Sequence, residues 1–154
     1  MRIRIGNEEG HQGNGHKTVE EYSILVPGRA YAPGSKHAIS YKASVRREAS
    51  KKILRPVQGS LYIRVRYYFS DPKSRVDGDN LLKIICDALK GVAYQDDSQI
   101  DDHRVIRKGL NSSTKISDIA RPSLIDYIAQ GDFVIIELGE TRQTHPANEI
   151  LELR

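Results

Sequence analysis

The sequence predicts an α+β (mixed α/β) fold in which helices pack on a single mixed β-sheet. The first observation is that strand-like and helical patterns alternate along the chain. The second is that "LYIRVRYYF" at 61–69 alternates apolar and polar residues, whereas "DFVIIELG" at 132–139 is nearly all apolar, as in a central strand. The third is that 154 residues, 38% of them hydrophobic, suit one domain with a substantial core.

The first half of the chain contains an arm, a strand and a helix. Residues 1–17 carry Gly, Asn and charge without periodicity and predict a flexible arm ahead of a domain at 18–140. "YSILVPG" predicts a strand that ends at Pro27 and Gly28. From about Ser40 to Leu54 the pattern is helical, with a basic outer face. The residues expected to face the core are Ala43, Val45, Ala49, Ile53 and Leu54.

The second half alternates in the same way. After strand 61–69, a helix is predicted at 80–90 and is expected to end at Gly91. Its buried stripe is Leu81, Ile85, Ala88 and Leu89. "HRVIRKG" at 103–109 predicts a short strand, 115–131 a helix around Pro122, and 132–139 the last strand. A polar tail at 141–154 is expected to be frayed.

Composition narrows the function classes. The formal net charge is +4 with a pI near 9.2, which favours an acidic partner such as nucleic acid. The single cysteine, Cys86, excludes an internal disulfide, fits a reducing compartment and is expected to be buried in a helix. No apolar run is long enough for a membrane span and no signal peptide is apparent, so the cytoplasm is expected.

Clustered acids stand out against this basic background. Asp77 and Asp79 open helix 80–90, and four further aspartates follow it at Asp96, Asp97, Asp101 and Asp102. Helix capping by Asp79 or Asn80 would explain one acid, but not the whole group. Carboxylates from the two loops could converge at one edge of the sheet. Three or more together would repel unless a cation neutralised them, and hard oxygen ligands select Mg²⁺ or Mn²⁺.

Lys83 lies one helical turn after Asp79, on the face opposite the buried stripe. It has two interpretations. It could be an ordinary ion-pair partner of Asp79 and Asp87, or a cation that stabilises charge developing on a phosphate.

The acidic segment resembles a known family. "D-x-D-N-L-x-K-x-x-x-D-A-L", from Asp77 to Leu89, followed by "D-D-S-Q-I", from Asp96 to Ile100, is similar to the RusA family of Holliday-junction resolvases. The close similarity covers residues 75–108, and the early "VPG" strand and the final strand agree in general layout.

The resemblance implies a homodimeric, Mg²⁺-dependent DNA endonuclease of bacterial or bacteriophage (prophage) origin, with Mn²⁺ as a possible substitute and no organic cofactor. Such an enzyme resolves four-way junctions by paired symmetric nicks in DNA recombination and repair. Matched residue by residue, Asp77, Asp79 and Asp97 would be the catalytic metal-binding acids, Asp96 a supporting acid at the metal, and Lys83 the catalytic cation. A basic residue in the family matches Lys108, which would contact DNA.

Several other cations are candidates for binding the DNA backbone. They lie in the loop after the first strand, on the first helix and on strand 61–69: Arg29, Lys36, Lys42, Arg46, Arg47, Arg64 and Arg66. Tyr62 and Tyr68, on the polar face of strand 61–69, are candidates for the dimer interface.

Two alternatives come from other classes. One is a DxD phosphohydrolase, although such enzymes place the first Asp directly after an apolar strand, and here "DPKSR" intervenes. The other is a non-catalytic DNA-binding module of the same fold, in which the acids serve only capping and solubility.

Overall fold

The computed structural model describes residues 2–5, 19–110 and 131–141, and these build one five-stranded sheet. Its strands are β1 (Arg2–Ile5), β2 (Val19–Pro27), β3 (Leu61–Phe69), β4 (Ile100–Gly109) and β5 (Phe133–Glu140). The spatial order is β1-β2-β5-β3-β4, with β3 and β4 parallel and the other neighbours antiparallel. The predicted mixed sheet is therefore confirmed.

Two helices in the described part of the chain, α1 (Ala38–Lys52) and α2 (Gly78–Leu89), pack against each other and on the sheet. Both begin two residues earlier than the sequence predicts. α2 connects β3 to β4, because parallel neighbouring strands need a crossover that returns the chain to the same end of the sheet. Within these described segments, no helix is both long and apolar enough to cross a membrane.

The main core lies between the helices and one face of the sheet. The predicted stripe of α2 is buried, as are Val45 and Ala49 of α1. Two expectations for the first helix are wrong: Ala43 is exposed, and Leu54 is 81% exposed because α1 ends at Lys52. Tyr41, which the prediction omitted, occupies that face of α1 instead.

The central position of β5 explains its continuous apolar sequence. Val134, Ile136 and Leu138 belong to the main core, whereas Phe133 and Ile135 point to the other face and form a second cluster with Tyr68. Tyr68 is 2% exposed and stacks on Phe133 with ring centroids 4.8 Å apart. Its predicted place in a dimer interface is therefore wrong, since the ring is already packed within the chain.

The polar part of the second face is linked by side-chain contacts. Tyr62 donates a hydrogen bond to Glu21, and the Arg64 guanidinium lies over the Tyr62 ring. Burial and the contact with Glu21 raise the pKa of Tyr62. Arg66 pairs with Glu137 at 2.6 Å across β3 and β5.

The predicted arm is corrected in part. Residues 2–5 pair with β2 as the edge strand β1, since Arg2 lies opposite Tyr22 and Ile5 opposite Val19. The rest of the arm, the helix expected at 115–131 (apart from Gly131) and most of the polar tail lie outside the described residues.

Candidate active site

The first acidic pair lies where α2 begins. Asp77 is the N-cap residue, yet its side chain makes no capping hydrogen bond; only its backbone carbonyl accepts one, from Leu81 N at 2.8 Å. Asp79 lies inside the first turn, so the prediction that Asp79 or Asn80 caps the helix is wrong. The helix therefore leaves both exposed carboxylates available for another use.

The turn between the two acids rests on β4. A β-carbon at Gly78 would lie 3.8 Å from Val105 Cγ1 and 4.0 Å from Arg107 Nε. Arg107 also donates from Nη1 to the Val76 carbonyl at 3.2 Å. Val105 and Arg107 pair with Val65 and Tyr67 of β3, and this places them on the helix-bearing face of the sheet.

The second acidic pair follows α2 and forms a short 3₁₀ turn, Asp97–Gln99. The Asp96 carboxylate caps this turn by accepting from Ser98 N at 3.3 Å and from Ser98 Oγ at 2.5 Å. It also pairs with Lys90 Nζ at 3.2 Å. The hydrogen bonds from Ser98, followed by the contact with Lys90, lower the pKa of Asp96 to about 2. The ionised Asp96 carboxylate is therefore already engaged by Ser98 and Lys90, whereas Asp97 forms no ion pair with any described residue.

Gln99 anchors the same turn to the loop before β3. Its side-chain amide donates to the carbonyls of Val57 and Gly59, both at 2.9 Å, and its oxygen accepts from Gln95 N and Asp96 N. These four contacts hold in place the backbone of the 3₁₀ turn that contains Asp97.

A cavity of about 410 Å³ between α2 and β4 joins the two acidic segments. Its lining includes Asp79, Lys83, Asp97 and His103 as polar groups and Leu82, Cys86 and Ile100 as apolar ones. Asp79 and Asp97 therefore lie along the groove between α2 and β4, and because β4 is an edge strand, this groove is at one edge of the sheet, as expected. Asp77 and Asp96 stand beside this cavity and are not part of its lining.

Lys83 is exposed at this cavity and, among the described residues, forms no ion pair with Asp79 or Asp87. The simple i, i+4 pair is thus not formed, and the ammonium group remains available to a ligand. His103 was missed by sequence reasoning. The alternation "HRVIR" could have located it, because His103, Val105 and Arg107 share one face of β4.

Cys86, which lines the cavity, and the neighbouring Tyr94 both have raised pKa values. Burial raises the pKa of the Cys86 thiol to about 11, and Asp97 and Asp87 add to the shift. Tyr94 donates its hydroxyl to the Cys86 carbonyl at 2.7 Å, and its pKa is raised, first by burial and in smaller part by Asp97. Cys86 therefore stays a neutral thiol and serves packing, while the Tyr94 hydroxyl lies near the Asp97 carboxylate.

Comparison with known proteins identifies the family. The model of the family described as "Endodeoxyribonuclease RusA" matches residues 19–117, nearly two thirds of the chain. The chain belongs to the RusA family of endodeoxyribonucleases. No curated protein matches the chain. The resemblance carried by the two aspartate motifs is confirmed, and this RusA-family chain is an enzyme that hydrolyses phosphodiester bonds in DNA.

RusA nucleases act on branched DNA junctions and are generally metal-dependent. In this RusA-family chain, the described residues contain no set of three His, Cys, Asp or Glu side chains arranged to hold an ion by themselves. The donors nevertheless fit a hard cation, because Asp79 and Asp97 line one cavity and neither forms an ion pair with a described residue. Mg²⁺ is commonly held by one or two carboxylates together with waters and substrate phosphates.

The predicted DNA-binding residues of this RusA-family chain fall on two surfaces. Arg29 contacts the loop that leads to Asp77, since its Nη2 donates to the Lys73 carbonyl at 2.9 Å. The buried Tyr67 hydroxyl joins the same two loops by accepting from Ala30 N at 3.2 Å and donating to the Ser74 carbonyl at 2.8 Å. Lys36 follows in the Arg29 loop, and Lys42, Arg46 and Arg47 lie on α1.

The other predicted cations lie across the sheet from the cavity. Arg64 and Arg66 belong to the second face of β3, and Lys108 pairs with Tyr68 of that same face. Arg66 is also engaged with Glu137. These three residues therefore cannot share one flat DNA-contacting surface with the cavity of the same chain.

Proposed function

We propose that this enzyme is a Mg²⁺-dependent resolvase of four-way DNA junctions that acts in the cytoplasm in recombination and repair. It is a homodimer that makes one nick with each subunit. The observation that carries the proposal is that Asp79 and Lys83 of α2 and Asp97 of the following 3₁₀ turn line one open cavity without pairing with one another. Carboxylates and a cation in that arrangement suit the hydrolysis of a phosphodiester.

Asp77, Asp79 and Asp97 are the proposed ligands of the metal ion, and Mn²⁺ is expected to substitute. A bound Mg²⁺ supplies polarisation of the scissile phosphate and activation of the attacking water. Asp96 has a supporting place in this proposal, because its carboxylate is held by Ser98 and Lys90 and shapes the turn that presents Asp97.

Lys83 is the proposed catalytic cation. Its ammonium group lies at the same cavity as two carboxylates, and a fixed positive charge there stabilises the extra negative charge on the phosphate in the transition state. Because Lys83 has no ion-pair partner among the residues that the structure describes, substrate binding need not break an existing pair.

For DNA binding we propose the cations of the Arg29 loop and of α1 as one surface, since Arg29 contacts the loop that leads to Asp77 and α1 packs against α2. Arg29, Lys36, Lys42, Arg46 and Arg47 would hold backbone phosphates of the arm that is cut. Arg64, Arg66 and Lys108 would contact a different part of a branched substrate, on the other side of the sheet. A four-way junction has several duplex arms and can meet two separate surfaces.

The test is cleavage of a labelled four-way junction beside a linear duplex of matched sequence, each with and without Mg²⁺. The proposal predicts nicks in the junction only when Mg²⁺ is present, at symmetry-related positions. A non-catalytic module would bind the junction without nicking it, and a DxD phosphohydrolase would hydrolyse a small phosphoester instead. Equal cleavage of junction and duplex would contradict the junction selectivity.

A further inference from the structure

Arg107 is a cation at the acidic turn to which the proposed function gives no task. It lies on β4 with its side chain half-buried on the helix-bearing face, and Lys108 next to it lies on the opposite face. Its Nε lies 4.0 Å from the position that a β-carbon would take at Gly78. The guanidinium group therefore lies directly beside the turn that carries Asp77 and Asp79.

Arg107 does not pair with these acids. Within residues 19–110 and 131–141, it makes one side-chain hydrogen bond, to the Val76 carbonyl, and no ion pair. A guanidinium group has five N–H donors, and at least two can bind one phosphate side by side. The bond to Val76 fixes the position of the group while leaving donors for a ligand.

The charge of the site indicates what that ligand is. Asp77, Asp79 and Asp97 outnumber Lys83, so an approaching phosphodiester meets net negative charge before any metal ion is counted. A fixed guanidinium group beside the turn formed by Asp77, Gly78 and Asp79 (the D-G-D turn) offsets part of this repulsion where the DNA backbone approaches these acids.

We propose that Arg107 binds a DNA phosphate at the D-G-D turn and is thereby a substrate-binding residue of the active site. The proposal rests on the proposed function only in placing DNA at this cavity. A purely structural Arg107, which holds Val76 and nothing else, is the alternative that an experiment must separate.

The salt dependence of DNA binding separates the two roles. Each phosphate contact that is lost should reduce the slope of log affinity against log salt by about 0.9, whereas loss of a structural hydrogen bond leaves that slope unchanged. The measurement is fluorescence anisotropy of a labelled four-way junction in EDTA over a NaCl series, for the wild-type protein, Arg107→Gln and Arg107→Lys. Arg55→Gln is the matched control, because Arg55 is exposed and forms no ion pair among the described residues.

Arg107→Gln is expected to lose about one unit of slope and to bind about tenfold more weakly at fixed salt. Arg107→Lys should keep the slope, because its charge remains, but lose affinity with the forked geometry. Arg55→Gln should behave as the wild type. A folded Arg107→Gln with the wild-type slope would overturn the proposal.

Neutral methylphosphonates give a second route if Arg107→Gln does not fold. Placed one at a time along the junction, they should weaken binding by the wild-type protein at the contacted phosphates, and at one of these Arg107→Met, which keeps an apolar stem but lacks the charge, should lose clearly less. Equal losses for both proteins at every phosphate would overturn the proposal. Because binding in EDTA requires neither Mg²⁺ nor cleavage, failure of the metal-dependent nicking proposal would leave this result intact, and the reverse also holds.

Discussion

At the scale of single residues, acids of the same type have different tasks because their hydrogen bonds differ. Asp96 caps a 3₁₀ turn and pairs with Lys90, whereas Asp97, the next residue, lines the cavity. Asp77 occupies an N-cap position without using its side chain as a cap. Local contacts therefore distinguish structural acids from candidate catalytic ones.

Lys83→Ala tests the proposed catalytic cation. We expect single-turnover nicking of a four-way junction to fall by about 100-fold with little change in junction affinity, because the ammonium group acts on charge that develops in the transition state. The free energy of unfolding should change by less than about 0.5 kcal/mol, since Lys83 is exposed and has no ion pair among the described residues. Cleavage within a few-fold of the wild-type rate would reduce Lys83 to a surface residue.

Asp96 gives a prediction about pH. Its pKa is lowered from 3.8 to about 2 in the folded chain, so the stabilisation that it provides is complete above pH 3.8 and is lost as the pH falls toward 2. We expect Asp96→Ala to unfold at a lower temperature than the wild type at pH 6, with the difference shrinking between pH 4 and pH 2. Asp96→Asn, which can still cap the turn, is the matched control and should be the milder change. A difference between wild type and Asp96→Ala that is independent of pH would argue against the Ser98 and Lys90 contacts.

At the scale of elements, the sequence predicts best where one periodicity covers a whole element. The α2 stripe and the alternation of β3 follow directly from spacing 3.6 and 2, and the apolar run of β5 indicates its central place. β1 was missed because four residues beside a polar arm become a strand only by pairing with β2. The start of β4 was missed because Asp101 and Asp102 are unusual in strands.

The candidate site was predictable to a similar degree. Asp79 and Lys83 share a helix face by their spacing alone, and the cavity brings them together. The different surroundings of Asp96 and Asp97 could not be read from two adjacent identical residues, because they depend on Ser98, Gln99 and Lys90 in three dimensions. Arg107 was overlooked in favour of Lys108, although strand alternation puts the two on opposite faces.

The link between the Arg29 loop and the loop before α2 gives a prediction at this scale. Tyr67→Phe removes the buried hydroxyl that binds Ala30 N and the Ser74 carbonyl, and leaves both without this partner. We expect a loss of about 1–3 kcal/mol in the free energy of unfolding, measured by urea denaturation. Tyr41→Phe is the control, because the buried Tyr41 hydroxyl has no hydrogen-bond partner in the described structure, and its removal should be neutral or slightly stabilising. Equal effects of the two substitutions would contradict the linking role of Tyr67.

At the scale of the whole molecule, the described part of one chain offers one acidic cavity at the aspartate motifs, but resolving a junction requires cuts in two strands related by an approximate two-fold axis. A two-fold dimer would provide one site for each strand. Tyr68 cannot serve such an interface, as it is packed on Phe133, and Tyr62 is engaged with Glu21 and Arg64.

Mixed dimers test this arrangement. Wild-type chains mixed with an excess of Asp77→Asn chains should convert a junction in a supercoiled plasmid into singly nicked circles in place of linear product. The reason is that most active dimers would then contain one competent site. Linear product in proportion to the wild-type chains, from a protein that is monomeric at working concentration, would exclude the dimer.

We propose that acids at the start of α2 and in the 3₁₀ turn after it act together at one cavity, and substitution of those acids tests this most directly. Nicking of a labelled four-way junction in Mg²⁺ would be measured for Asp77→Asn, Asp79→Asn and Asp97→Asn, with Asp101→Asn and Asp102→Asn as charge-matched controls on β4. We predict that the first three each lower the nicking rate by at least about 100-fold while binding the junction as tightly as the wild type or more tightly, because repulsion of the phosphate is reduced. The controls should stay within a few-fold of the wild-type rate. Near-normal nicking by Asp79→Asn or Asp97→Asn, or a loss in Asp101→Asn as large as in Asp97→Asn, would contradict the assignment of this cavity as the active site.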